Sequence, residues 1–225
     1  EMDDIQRIWA QVAEDFAPFD VDVTTEEPPV QDLMNTGGGD QRWGVRVLIS
    51  NNDPVNTVAG GVAYVGSFSW DSDTPALVFT QYLGGDKSIA EAASHEVGHT
   101  LGLSHDGRTV PNEGYYGGHG TGDVSWAPIM GVGYYVNLVQ WSQGEYLNAN
   151  NQEDDIKIIT TQNGFGFRPD DFANTTSSAT KIQAIKSGGN FNIDQRGIIE
   201  QRTDVDYFRI DAGPGPVTLN AVGGP

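Results

Sequence analysis

The chain contains no cysteine, few basic residues and no long apolar run, and each of these shortages excludes a class of protein. Without cysteine there is no disulfide, no thiolate metal ligand and no cysteine nucleophile. The 12 Lys and Arg stand against 31 Asp and Glu, a formal net charge of −19, so the chain lacks the basic groups that neutralise nucleic-acid phosphates. Because no apolar run reaches about 18 residues, the sequence predicts no membrane span.

The sequence does have enough length for a buried core. Its 225 residues fit one domain, or one domain with a small appendage. The many acidic residues either form an ordinary solvated surface or serve salt tolerance or calcium binding. Calcium binding is an option because carboxylates are hard oxygen ligands.

Apolar periodicity predicts alternating helices and strands. A helical stripe runs through Ile5, Ile8, Trp9, Val12 and Phe16, and Pro18 should end that helix. Two-residue alternation or short apolar runs predict strands at 19–24, 45–49, 61–68, 76–83 and 156–159. A further helix is expected at about 142–150.

Another predicted helix carries the most informative segment. Ser88 and Glu91 form an S-x-x-E capping box, and Gly102 stops the helix. Its core face is formed by apolar residues four apart: Ile89, Ala93, Val97 and Leu101.

Residues 95–106 read HEVGHTLGLSHD, and the spacing suits a metal site. His95 and His99 lie on one helical face, and Glu96 beside them can reach a metal-bound water. Gly102 can adopt positive φ and turn the chain so that His105 becomes a third ligand. Three imidazoles with one open position are typical of catalytic zinc. From the residue frequencies of this chain, such a pattern arises by chance in on the order of one chain in 10⁵.

Two alternatives stay open for these histidines. The motif is either functional or a degenerate, non-catalytic copy, although Glu96 is intact. The fourth histidine, His119, either makes a structural hydrogen bond in a loop or contacts substrate or a second metal.

The motif resembles that of the metzincin metalloproteases. The resemblance implies an α+β fold with a twisted mixed sheet, an active-site helix below a cleft, and a methionine-containing turn beneath the metal. Met130, 25 residues after His105, is the candidate for that turn.

Asp106 directly after the third histidine resembles the adamalysin (reprolysin) branch, as does the edge-strand segment Gly61–Gly66. The lack of cysteine favours a bacterial relative. Val132 stands where other metzincins carry a zinc-approaching tyrosine. The resemblance implies substrate binding by seven residues: Gly61, Val62, Ala63, Tyr64, Val132, Tyr134 and Tyr135. Tyr134 and Tyr135 either touch substrate or pack in the wall of the cleft.

Metzincins usually have a strand before the first helix, and this sequence opens within that helix. We therefore expect the first strand to be missing and residues upstream of Glu1 to have been removed or left out.

A change in composition near residue 162 predicts a division of the chain. Residues 1–162 are expected to form the catalytic domain, 163–171 a linker and 172–225 a partial β-sandwich. The last segment resembles the start of a bacterial pre-peptidase C-terminal domain. Its acidic residues, such as Asp204 and Asp206, either bind calcium or form a solvated turn.

Together these resemblances imply a secreted zinc endopeptidase that acts on proteins or peptides, with Glu96 as general base. We expect it to be a monomer. Two other functional hypotheses remain. The chain is either a zinc-binding adhesion module with a vestigial site or another zinc hydrolase, such as a small-molecule amidase.

Overall fold

The computed structural model describes residues 2–221, which form two compact units. The first comprises the residues up to Phe16 together with Asp22–Gly166. The second comprises Ala17–Val21 and the residues from Phe167 onward. No helix within residues 2–221 is long and apolar enough to cross a membrane.

The first unit contains a three-stranded mixed sheet. Its strands are β1 (Val47–Ser50), β2 (Gly61–Val62) and β3 (Ala76–Phe79), in the order β1-β3-β2. β1 is parallel to β3, and β2 is antiparallel to it. The predicted α+β fold with a mixed sheet is confirmed, and β2 forms one edge of that sheet.

Three helices and a second strand pair complete this unit. The helices are α1 (Met2–Asp15), α2 (Asp86–Thr100) and α3 (Asp155–Gln162). The strands β4 (Trp126–Pro128) and β5 (Leu138–Gln140) pair in parallel. The chain leaves β4 directly into the turn that contains Met130.

Helix α2 lies at the centre of the unit. Ala92 and Ala93 pack with Val78 of β3 in the core. On another side, the Ser94 hydroxyl donates to the Asp15 carboxylate at 2.6 Å, which ties α2 to α1. Trp141 donates its indole N–H to the backbone oxygen of Asp15 at 2.7 Å. The helix is therefore held on several faces at once.

Three sequence predictions of secondary structure are wrong. Residues 19–24 form no strand beyond an isolated bridge at Phe19. Residues 142–150 are not helical, because Gly144 and Asn148 adopt positive φ (78° and 62°). Residues 156–159 lie in α3, where Asp154 caps the helix by accepting from the backbone N–H of Lys157 at 3.2 Å. A short apolar run suits a buried helix as well as a strand.

Other elements exist but have different limits. Helix α2 begins at Asp86 after Gly85, and Ser88 does not cap it. The strand predicted at 61–68 is confined to Gly61–Val62, and β1 is partly exposed, since Leu48 keeps 44% of its surface accessible.

The second unit is rich in short strands. β6 (Thr180–Lys181) is parallel to β9 (Phe208–Arg209). β7 (Ile185–Ser187) and β8 (Asn190–Asn192) form an antiparallel hairpin. The expected β-rich C-terminal segment is present, whereas its assignment as a partial β-sandwich stays a prediction, as do the predicted domain limits.

The buried carboxyl of Asp15 should make stability depend on pH. Burial raises its pKa from 3.8 to about 8 in the folded chain. Between these values the unfolded chain binds fewer protons, so the free energy of unfolding falls as pH rises from about 4 to 8. In the Asp15→Asn variant, we expect the free energy of unfolding to fall less steeply with pH. The slope should decrease by up to about 1.4 kcal/mol per pH unit. Denaturant titrations across this pH range measure it. The exposed Asp3→Asn variant serves as control, and equal slopes in both variants would contradict the assignment.

Gly98 of α2 has no room for a side chain. A methyl group there would overlap the Met130 sulfur and come within 3.2 Å of the Trp141 ring. We expect Gly98→Ala to lower the free energy of unfolding by about 1–3 kcal/mol, because the surrounding core must shift. Gly114→Ala, where no atom lies within 4 Å of the added carbon, is the matched control. Similar losses in the two variants would show that the contact at Met130 is not responsible.

Candidate metal centre

The C-terminal end of α2 places the third histidine of the motif. Gly102 has a φ of 101°, in the region that favours glycine. Its N–H donates to the oxygen of His99 at 2.9 Å, and the next N–H, of Leu103, donates to Gly98 at 3.0 Å. These two bonds form a Schellman motif, which ends the helix and reverses the chain. His105 is thereby brought back beside the helix.

Backbone carbonyls orient both helical imidazoles. His95 Nδ1 donates to the oxygen of Ile129 at 2.9 Å, and His99 Nδ1 donates to that of Leu103 at the same distance. Because a carbonyl only accepts, each Nδ1 carries the proton and each Nε2 keeps a free lone pair. This arrangement is typical of histidines that bind metal.

The three imidazoles of the motif converge. His95, His99 and His105 each offer a ring nitrogen, and these atoms lie within 4.8 Å of one another. Nε2 of His99 is 2.9 Å from Nε2 of His105. Both nitrogens therefore point to one position, and the donor set fits a bound metal. Nitrogen donors without thiolate or carboxylate suit zinc.

The protonation state of these histidines also suits metal binding. Burial, followed by the neighbouring His99, lowers the pKa of His95 to about 3. Burial likewise lowers the pKa of His99 and of His105. All three rings are therefore neutral near pH 7 and available as ligands.

Glu96 lies next to the histidines and has little contact with solvent. It is 6% exposed, and its Oε2 has no hydrogen-bond partner within the described part of the chain. Burial raises its pKa to about 8. A side chain at Gly61 would come within 2.6 Å of Oε1, so only a glycine lets β2 approach this carboxylate.

The turn that contains Met130 is fixed to the residue after the third histidine. The N–H of Asp106 donates to the oxygen of Met130 at 2.8 Å, and Asp106 accepts from the N–H of Tyr116 at 2.6 Å. Met130 is fully buried, and its sulfur lies against Gly98 of the helix that bears His95 and His99.

A cleft of about 640 Å³ opens over the histidines and Glu96. Five of the seven residues predicted to bind substrate line it: Gly61, Val62, Ala63, Val132 and Tyr134. Burial followed by the charge of Glu96 raises the pKa of Tyr134 to about 12.

Two residues predicted to bind substrate lie outside the cleft wall. Tyr64 is 67% exposed and packs against Trp70 at 5.8 Å between ring centroids. Tyr135 is 90% exposed. Neighbouring tyrosines in sequence therefore take different positions, because Tyr134 lines the cavity while Tyr135 is exposed.

Tyr115 is a residue of the cleft that the sequence did not single out. Its ring lies 4.3 Å from that of His105 and 6.0 Å from that of His95, measured between centroids. It belongs to a long loop with no periodicity, so no pattern in the sequence could have placed it there. Residues 58–60 also line the cleft and were not predicted.

His119 is separate from this cluster. Its Nδ1 shares a hydrogen bond with the Tyr116 hydroxyl at 3.0 Å, and its backbone pairs with that of Trp126. These contacts favour the structural alternative for the fourth histidine.

Comparison with known families agrees with this geometry. Residues 19–106, about two fifths of the chain, match the model of metallo-peptidase family M12B, reprolysin-like. The matched stretch runs from ahead of the sheet through the complete histidine motif and ends at Asp106. The predicted resemblance to reprolysin-like metzincins is confirmed over that stretch, and with it the prediction of a zinc metalloprotease. No curated protein matches the chain.

The histidine geometry predicts one zinc per chain. We expect His105→Ala to lower zinc affinity by at least about 10–100-fold, since losing a ligand should cost no less than losing a group that supports one. Zinc content after dialysis against a competing chelator, measured by mass spectrometry, tests this. His119→Ala should keep the metal. A zinc-replete His105→Ala variant would remove His105 from the site.

Proposed function

We propose that the chain is a secreted endopeptidase in which His95, His99 and His105 hold the catalytic zinc and Glu96 is the general base. The observation that carries this proposal is the position of a buried, unpartnered carboxylate beside three converging neutral imidazoles under an open cleft. A structural zinc site would be closed by a fourth protein ligand and would not need a neighbouring base.

The proposed reaction is hydrolysis of a peptide bond. Zinc, when bound, supplies the Lewis acid that polarises the scissile carbonyl and makes water acidic enough to lose a proton near neutral pH. Glu96 accepts that proton from the attacking water and transfers it to the leaving amine. Burial raises the pKa of Glu96 above its ordinary value, which makes its carboxylate a stronger base for the first step.

The edge strand β2 is proposed to position the substrate. Gly61 and Val62 pair with β3 on one side, and both line the cleft. An extended peptide that adds to the free side of β2 would gain main-chain hydrogen bonds without the need for a particular sequence. The short length of β2 limits this pairing to few residues.

Side chains beyond the turn at Met130 are proposed to shape the pocket for the residue after the cut. Val132 and Tyr134 line the cleft on that side, and Tyr115 covers the His105 ring. We include Tyr115 in the substrate site and leave out Tyr64 and Tyr135, given their exposure.

Met130 is proposed to support the metal site without binding the ion. Its backbone oxygen accepts from Asp106, and its neighbour Ile129 orients His95. Both contacts use the backbone, so the side chain acts through packing alone.

Extracellular action as a monomer is the remaining part of the proposal. The extracellular location follows from the reprolysin-like resemblance. Protein substrates follow from the same resemblance. Digestion of a proteome-derived peptide library, with and without a zinc chelator, tests the activity. Internal cuts that the chelator abolishes are expected. A folded, zinc-loaded chain that cuts no peptide would favour a vestigial site or a small-molecule hydrolase.

The role of Glu96 predicts a sharp loss of turnover. We expect Glu96→Gln to keep zinc and fold but to lower kcat by a factor of at least about 10²–10⁴, because no group then accepts the proton of water. Hydrolysis of a quenched fluorescent peptide by the metal-loaded variant measures it. Glu91→Gln is the control: this glutamate lies on the same helix, is also buried and pairs with Lys87, outside the cleft lining. Equal activities for the two variants would disprove the assignment of Glu96.

A further inference from the structure

The second unit contains a group of five acidic residues that the proposed reaction does not use. They form two overlapping triads that share Asp170: one with Glu200 and Asp204, the other with Asp171 and Asp206. In each triad, one carboxylate oxygen from every member lies within 4.8 Å of the others. The residues come from two stretches of chain about 30 positions apart. Like charges brought together from separate stretches repel, so a cation or a proton among them stabilises the arrangement.

Glu200 is the member that points to a ligand. It is only 3% exposed, and neither of its carboxylate oxygens accepts from an N–H or hydroxyl group of the described residues; it faces the carboxyl group of Asp204 instead. One oxygen of Asp204 and one of Asp206 are likewise buried and accept from no such group. A buried carboxylate left unpaired costs several kcal/mol, by order of magnitude. A cation among these oxygens would remove that cost.

Three other oxygens of the group accept from backbone N–H groups, and Asp170 Oδ2 accepts from the Asn174 side-chain amide at 2.6 Å. Asp204 Oδ2 accepts from the N–H of Glu200 at 3.1 Å, and Asp170 Oδ1 accepts from that of Phe172 at the same distance. Asp171 Oδ2 accepts from the N–H of Ile198, also at 3.1 Å. These bonds orient Asp170, Asp171 and Asp204, much as contacts behind a metal site orient its ligands.

Two basic side chains of the same unit pair with an acidic residue outside this group. Lys181 and Arg209 both approach Asp211, at 2.6 Å and 3.8 Å. The unit also has little apolar core of its own, because large side chains such as Ile185 and Phe191 are 72% and 68% exposed. Hydrophobic burial therefore stabilises the second unit less than the first, and the second unit relies more on polar interactions.

We propose that Asp170, Glu200 and Asp204 bind a calcium ion, with Asp171 and Asp206 adding negative charge beside it. The donors are all oxygen, and residues 167–221 contain no histidine or cysteine, which excludes a zinc site of the kind in the first unit. Magnesium requires a strict octahedral shell and keeps most of its water, whereas calcium accepts irregular sets of carboxylates. The ion would join the start of this segment to residues 200–204 and so stabilise the unit independently of catalysis.

Calcium binding is tested on the full, zinc-loaded chain after calcium has been removed by a chelating resin and one equivalent of zinc restored. Isothermal titration with calcium chloride should give a saturable site, and terbium should give luminescence sensitised by Tyr207, next to Asp206. Calcium should also raise the Tm, since it binds only the folded unit. Magnesium at equal concentration should not displace terbium.

Variants decide which residues bind the ion. Glu200→Gln keeps shape and removes one charge, and it should weaken calcium binding at least tenfold and abolish the Tm shift. Asp194→Asn, an exposed acidic residue of the same unit outside both triads, is the matched control and should bind as the original chain does. Asp204→Asn replaces Glu200→Gln if circular dichroism shows that the latter does not fold.

The calcium experiment can succeed or fail independently of the proposed protease activity. Zinc content and hydrolysis of a short peptide are measured on the same samples, and a chain that binds calcium but cuts nothing would leave the calcium proposal intact. Failure to saturate with millimolar calcium, or equal affinity in Glu200→Gln and Asp194→Asn, would overturn it.

Discussion

Helix α2 is buried around most of its circumference, and the positions of the other parts of the first unit depend on that burial. Its polar residues are satisfied locally: Ser94 donates to Asp15, and the Thr100 hydroxyl donates to Val97 at 2.7 Å. Ordinary amphipathic helices leave one face in water, whereas this helix has a neighbour on nearly every side. Close approach is possible because Gly98 and Gly61 carry no side chains where the Met130 turn and β2 meet it. The histidines are therefore held by a helix that has little freedom to move.

A second constraint is that the site is built from backbone as much as from side chains. Carbonyls of Ile129 and Leu103 fix the two helical imidazoles, and the Gly102 turn fixes the direction in which the chain returns to His105. Backbone groups in a packed loop have few alternative positions, so the ligand nitrogens are held in a fixed arrangement. This preorganisation is what a tight metal site requires.

Buried carboxyl groups occur in both units and differ in their hydrogen-bond partners. Asp15 is satisfied by a hydroxyl, and burial raises its pKa so that it can remain protonated near neutral pH. Glu96 and Glu200 are buried with oxygens that accept from no N–H or hydroxyl group of the described residues, and each lies beside a cluster of potential metal ligands. A chain with a net charge of −19 cannot supply enough basic side chains for such groups. Because basic side chains are scarce, bound cations are suited to balance the charge of its buried acidic residues.

The sequence by itself determined the histidine motif, the helix that bears it and the turn at Gly102, because these depend on spacing within about a dozen residues and on the one residue type that adopts positive φ easily. It also determined the amphipathic α1 and the main pairing strands. The limits of short elements were not predictable: residues 156–159 became helical because Asp154 caps them, and residues 19–24 found no continuous partner strand. Only the tertiary structure decided that Tyr115 covers His105, that Tyr134 faces the cleft while Tyr135 faces water, and that Asp170 meets Glu200. Such contacts join segments that are distant in sequence or set by loop conformation, and no local periodicity encodes them.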